Sequence, residues 1–170
     1  ALYQMQYGFS DGAGVDAVIR LGDRLLPVES KFPLDAFERL QTAGENEQAE
    51  REFRRAIKGQ IDSIAAKYVR PDQGTTDFAV MYIPSEAVYY RVVSDEGSDL
   101  LAYALSKRVI PSSPGHLYAF LASVAAIYTE VGLAGNTRRL TAVLHALRES
   151  VERLETVHER LAGSARLLPL

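Results

Sequence analysis

The chain has 170 residues, 47% of them hydrophobic, a formal net charge of −3 and no cysteine. That is enough to bury one substantial core, it excludes a disulfide framework and a thiolate-bound zinc site, and it is compatible with a reducing cytoplasm. No secretory signal or long apolar run is present, and the slightly acidic balance is a poor match to a generic nucleic-acid binder with a basic surface.

Residues 2–9 alternate, with Tyr3, Met5, Tyr7 and Phe9 set against Gln4 and Gln6, which predicts a first strand. Gly12-Ala13-Gly14 leads into a second strand rather than a helix, so it does not fit a nucleotide-phosphate cradle. The runs Val15–Leu21 and Arg24–Ser30 flank Gly22-Asp23, a linker of the kind that closes a tight hairpin. If Leu21 faces Arg24, the partners count outward until Asp16 stands opposite Glu29, with Cβ atoms about 4.5–5.5 Å apart. A four-residue loop gives the same register. Lys31, two residues beyond Glu29, points to the same face.

Val15, Ala17, Ile19, Leu21, Leu26 and Val28 all point away from Asp16 and are all apolar, so that side reads as core and the acidic side need not be buried. Pro27 lacks an N–H and usually marks an edge or a bulge; a bulge there would shift the facing count by one. Opposed like charges destabilise a sheet unless something offsets them, and a hard divalent cation is the commonest offset for carboxylates. A lysine beside such a site can orient or deprotonate a water, or stabilise charge developing on an attacked phosphodiester. The plainer alternative is a solvated hairpin face with a cross-strand Lys–Glu pair. Gln4 and Gln6 could share the acidic face, and an ordinary solvent-facing position explains them equally well.

Pro33 suits the first turn of a short helix ending near Gly44. Asn46 can cap a longer helix running to about Arg70, whose first turn carries Glu47 and Glu50 and whose core stripe is Phe53, Ile57, Ile61, Ile64 and Tyr68. On another face Arg51, Arg54, Arg55 and Lys58 form a basic stripe, either for contacting phosphates or for pairing locally with Glu47, Glu50 and Glu52.

Asp77–Ile83 is almost continuously apolar and reads as a buried strand, reached by a helical crossover and so parallel to its neighbour. Ser85 and Ser98 are candidate caps for two further helices, and Val109-Ile110 a short last strand. Glu86, at the start of a helix, could approach the acidic face. From Pro114 the chain reads as helical, with Leu117, Phe120, Leu121, Val124, Ile127, Tyr128 and Val131 on one stripe, then a break at Gly132–Gly135. A final helix is expected from near Thr137. There Leu140, Leu147, Leu154 and Leu161, with Leu144, Val151 and His158 between them, make a coiled-coil seam of about three heptads. That seam either forms a homodimer or packs back on its own domain. His116, His145 and His158 show no metal-ligand spacing.

Three blocks now carry a family resemblance. Val15-Asp16 with Glu29-Ser30-Lys31 resembles the PD-(D/E)xK nuclease signature, with Val15 where proline is usual, and the string Leu26–Leu40 resembles the RmuC family, bacterial proteins described as DNA recombination factors. Thr75–Glu86 is similar to that family's second block, and Val109–Pro114 with the helix after it to a third. The resemblance implies an α/β, restriction-endonuclease-like mixed sheet flanked by helices over residues 1–132, and a C-terminal helical or coiled-coil extension over 133–170. It implies a metal-dependent DNA nuclease in which Asp16 and Glu29 hold Mg²⁺ (or Mn²⁺), the Ser30 backbone carbonyl is a further ligand, and Lys31 positions the attacking water. The alternative is a DNA-binding or assembly module that keeps the scaffold and cleaves nothing. Relatives of this kind typically carry an N-terminal membrane anchor and coiled coil, so the chain, which begins with Ala1, is expected to be an excised cytoplasmic domain without membrane contact of its own.

Overall fold

The structure, a computed structural model, describes residues 2–44, 46–94 and 99–130. Five strands form one mixed sheet in chain order: β1 (Tyr3–Gly8), β2 (Gly14–Leu21), β3 (Arg24–Glu29), β4 (Ala79–Tyr82) and β5 (Val109–Ser112). The first three are antiparallel neighbours, whereas β4 runs parallel to β3 and β5 parallel to β4. The change of direction follows from connection length. Two residues suffice to reverse β2 into β3, with Gly22 at φ 65 in the glycine position of a type II′ turn. The path from β3 to β4 instead holds two helices, α1 (Leu34–Ala43) and α2 (Glu47–Tyr68). The remaining described helices are α3 (Glu86–Val93), α4 (Leu100–Ser106) and α5 (Pro114–Glu130).

The hairpin keeps the register counted from its turn: Leu21 pairs with Arg24, Val18 with Pro27 and Ala17 with Val28. Pro27 therefore introduces no bulge. Leu25 exchanges hydrogen bonds with Gly74 and Thr76, so by alternation the side of β3 that lacks the Pro27 N–H is the β4 side. There the ladder is interrupted between the Leu25–Thr75 bridge and the Val28–Val80 pair, and no bond to β2 is lost.

Helix ends follow local chemistry. The Asn46 side chain accepts from the N–H groups of Gln48 (2.9 Å) and Ala49 (3.2 Å). α2 ends at Tyr68, two residues before the expected limit, because Pro71 disfavours helical backbone at Arg70. Pro33 lies one position earlier than expected, at the N-cap of α1. Ser85 caps α3 through Val88 N–H at 3.4 Å. The cap of α4 is Asp99, at φ 49; Ser98 lies outside the described residues, as do the expected final helix and its heptad seam.

Contacts divide the chain into one unit through Ala119 and a second from Phe120. The described part of the second unit continues α5 to Glu130. Among the described residues no helix is long and apolar enough to cross a membrane.

The core of the first unit corrects one expectation. The fully buried α2 stripe of Phe53, Ile57, Ile61 and Ile64 clusters with Val18, Ala79, Met81 and Val109. Val18 lies two residues from Asp16, and Met81 pairs with Glu29, so this cluster occupies the acidic side of the sheet. Ile19, Leu21, Leu26, Val28 and Val80, on the other side, are also buried but belong outside the cluster. The acid-bearing side is thus the one that α2 covers.

Candidate functional site

One register step beyond the Ala17–Val28 pair, Asp16 stands across from Glu29. Continuing the β1–β2 register between Met5–Ala17 and Tyr7–Val15 places Gln6 across from Asp16 on the other side. Gln6, Asp16 and Glu29 therefore form one transverse row over three strands. Ser30 and Lys31 follow as the chain leaves β3.

Each carboxylate has a different environment. Asp16 Oδ2 accepts the Ser30 N–H at 2.8 Å and the Ser30 hydroxyl at 2.5 Å, while among the described residues Oδ1 receives only the Gln6 amide, at 3.4 Å. The Ser30 hydroxyl is the largest influence holding the Asp16 carboxyl below its ordinary range; partial burial opposes it, and the Ser30 N–H and Gln6 add to it. Glu29 is only 2% exposed. Burial first, and then the negative charge of Asp16, push its carboxyl upward, against weaker opposition from the Asp16 N–H, which reaches Glu29 Oε2 at 3.4 Å, and from Lys31 and Tyr68. Lys31 Nζ lies 3.9 Å from Glu29 Oε1 with its side chain 74% exposed. This is a long, solvated contact that leaves the ammonium accessible.

Tyr68, at the end of α2, is a site residue that sequence reasoning assigned to the core. Its hydroxyl donates to the Gly14 carbonyl at 2.8 Å. Burial together with the nearby Glu29 carboxylate pushes the phenol up to about 12. Its only advance signal was the polar tip that a tyrosine carries into an otherwise apolar stripe. Gln6 is also in the site, as one of the two alternatives for it allowed.

The basic stripe is largely tied up within the protein. Arg51 pairs with Glu47 at 3.3 Å, Arg54 with Glu50 at 3.2 Å, and Glu50 also with Arg91 of α3 at 2.5 Å. Lys58 Nζ lies 5.0 Å from the centre of the Tyr103 ring. Arg55 is exposed and makes no ion pair among the described residues. The nearest member of the stripe, Lys58, lies ten residues before Tyr68, or about 15 Å along the helix from it.

Glu86 is occupied elsewhere: its Oε1 accepts the Gly115 N–H at 2.8 Å at the start of α5, where a side chain on Gly115 would meet it at 2.9 Å. That N–H is the chief cause holding the Glu86 carboxyl down, with the Ser113 hydroxyl second. Ser113, fully buried, shares a 2.8 Å hydrogen bond with His116 Nδ1. These groups cap a helix rather than join the acid row.

Asp16 and Glu29 are the carboxylates that would hold a hard cation if one binds here. Their donor chemistry fits one: both are carboxylate oxygen donors, Asp16 Oδ1 carries one long contact among the described residues, and the negative charge of Asp16 adds to burial in raising the Glu29 carboxyl. Among the described residues no group of three His, Cys, Asp or Glu side chains could hold a metal ion, so backbone oxygen or water would have to complete the shell.

Comparison with known proteins places the chain in a family. The RmuC family model matches residues 1–166, and the chain belongs to that family. It is 28% identical over 155 residues to a Zymomonas mobilis protein named DNA recombination protein RmuC homolog, covering 88% of this chain and 34% of the relative. It is 31% identical over 163 residues to a Xylella fastidiosa protein of the same name, covering 86% of this chain and 34% of that relative. The chain thus spans about a third of the length of the curated relatives it matches. No solved structure matches it.

Proposed function

We propose that this chain is the phosphodiester-hydrolysing part of a DNA recombination protein, acting with Mg²⁺ or Mn²⁺ held by Asp16 and Glu29 and a backbone oxygen at Ser30. The observation that carries this reading is the pair of opposed carboxylates, one of them buried and raised, with an accessible ammonium 3.9 Å from the buried one. The cation would supply charge neutralisation at the scissile phosphate. Ser30 anchors Asp16 through two hydrogen bonds and leaves Oδ1 toward the ligand side. Lys31 is accessible enough to orient the attacking water or to stabilise charge building on the phosphoryl oxygens. Internal pairing of Arg51 with Glu47 and of Arg54 with Glu50, the local alternative open for the α2 stripe, leaves it a small role in holding DNA.

The test is cleavage of single-stranded, duplex, hairpin and branched DNA by the purified domain, with and without divalent cation. Wild type should cut only with the cation, and Asp16→Asn should reduce cutting to background while calorimetry shows weakened cation binding. Absence of cleavage on every substrate would favour a DNA-binding or assembly module on the same scaffold. Unchanged cation affinity in Asp16→Asn would remove the metal site itself.

A further inference from the structure

Gln6 is the strained member of the acid row. It lies within β1 at φ 50, a left-handed conformation that a side chain with a Cβ rarely adopts, and only Asp99 and Arg108 share that property among the described non-glycine residues. Both of those stand at element boundaries: Asp99 caps α4, and Arg108 precedes β5. Gln6 alone interrupts a strand. It does so at the position across from Asp16, while its neighbours Met5 and Tyr7 keep the ladder.

Strain of this kind persists where the surroundings over-determine it, and it concentrates at functional sites. What the distortion achieves here is visible in the hydrogen bonds. Asp16 Oδ2 is committed to Ser30 twice over, whereas among the described residues Oδ1 meets the Gln6 amide alone. The exposed Gln6 side chain therefore addresses the one Asp16 oxygen left for a ligand.

We propose that Gln6 is a positioning residue, held in a strained backbone so that its amide orients Asp16 Oδ1 toward a bound divalent cation. This rests on the cation reading of the Asp16–Glu29 pair. The competing explanation is structural: the distortion turns the end of β1 so that Phe9 can stack on Tyr68, centres 6.1 Å apart. The two explanations separate because the amide and the backbone can be changed independently.

Gln6→Ala removes the amide and keeps the positive-φ cost; Gln6→Gly removes both. Calorimetric titration with Mn²⁺ and thermal melting of the metal-free protein read the two effects. If Gln6 positions Asp16, both variants should bind Mn²⁺ about tenfold or more weakly, the scale seen when a ligand loses its supporting hydrogen bond. Gln6→Gly alone should melt higher, by about 2–4 °C. Wild-type Mn²⁺ affinity in both variants overturns the proposal, and higher melting of Gln6→Gly with that affinity assigns the distortion to packing. If wild type itself binds no Mn²⁺, the cation reading and this proposal fall together, an outcome distinct from failure of the variants alone.

Discussion

Glu29→Gln should stabilise the metal-free protein at neutral pH. Two carboxylates with Cβ atoms about 5 Å apart repel by about 3 kcal/mol at an effective dielectric of 20, and Glu29, at 2% exposure, is poorly placed to escape that field through water. Lys31 returns about 1 kcal/mol, because a 3.9 Å contact to a side chain 74% exposed is largely screened. The Asp16 N–H can still bond the glutamine oxygen. The net gain on substitution is about 1–2 kcal/mol, or about 2–8 °C in melting temperature for a chain of this size.

The pH dependence has a definite sign. A carboxyl raised above its ordinary 4.5 binds its proton more tightly in the folded state, so wild-type stability falls as pH rises from about 4.5 through the raised value. The advantage of Glu29→Gln should therefore be full above that window and vanish below it, where Glu29 is itself neutral. Asp16, shifted downward from its ordinary 3.8, contributes the opposite slope only at lower pH. Denaturant melts at pH 4 and pH 8 in chelator measure the difference. Saturating Mg²⁺ should reverse the ranking, since a cation bound by the native wild type stabilises it by mass action. A Glu29→Gln protein no more stable than wild type at pH 8 would refute the uncompensated negative pair.

The other predictions concern the two sets of cations. Lys31→Ala should lower turnover by about 10²–10³ while leaving DNA affinity nearly unchanged and costing no more than about 1 kcal/mol of stability, because the side chain is exposed and its loss removes one preorganised charge; a folded variant cleaving as fast as wild type would remove Lys31 from the mechanism. Arg54→Ala should cost about 0.5–1 kcal/mol of stability by dismantling part of the Arg54–Glu50–Arg91 cluster. Arg55→Ala should cost none and, if DNA lies along α2, reduce the slope of log affinity against log salt by about 0.7–0.9. An unchanged slope would place DNA elsewhere on the surface.

Local chemistry made much of this molecule legible. A two-residue turn with glycine at its first position leaves few ways to pair its flanks, so the alignment of Asp16 with Glu29 could be counted without coordinates. The Asn46 and Ser85 caps, the α2 stripe and the parallel, buried β4 likewise depend on residues close in sequence or on connection length. Pro27 stayed open between an edge and a bulge because its effect depends on which neighbour its missing N–H would have faced.

What required the tertiary structure was the choice of side. Both faces of the hairpin carry apolar residues, and strand periodicity separates the faces without saying which one a distant helix covers. α2 covers the acidic side, which buries Glu29, brings Tyr68 against it and turns a solvated-looking pair into one with divided pKa shifts. The same holds for Gln6, whose strained φ no composition reveals, and for Glu50, which an arginine 41 residues away draws into a cluster. Periodicity and capping are energies between near neighbours, and the sequence determines them; burial and charge pairing across the sheet are energies between segments, and they exist only once those segments have met.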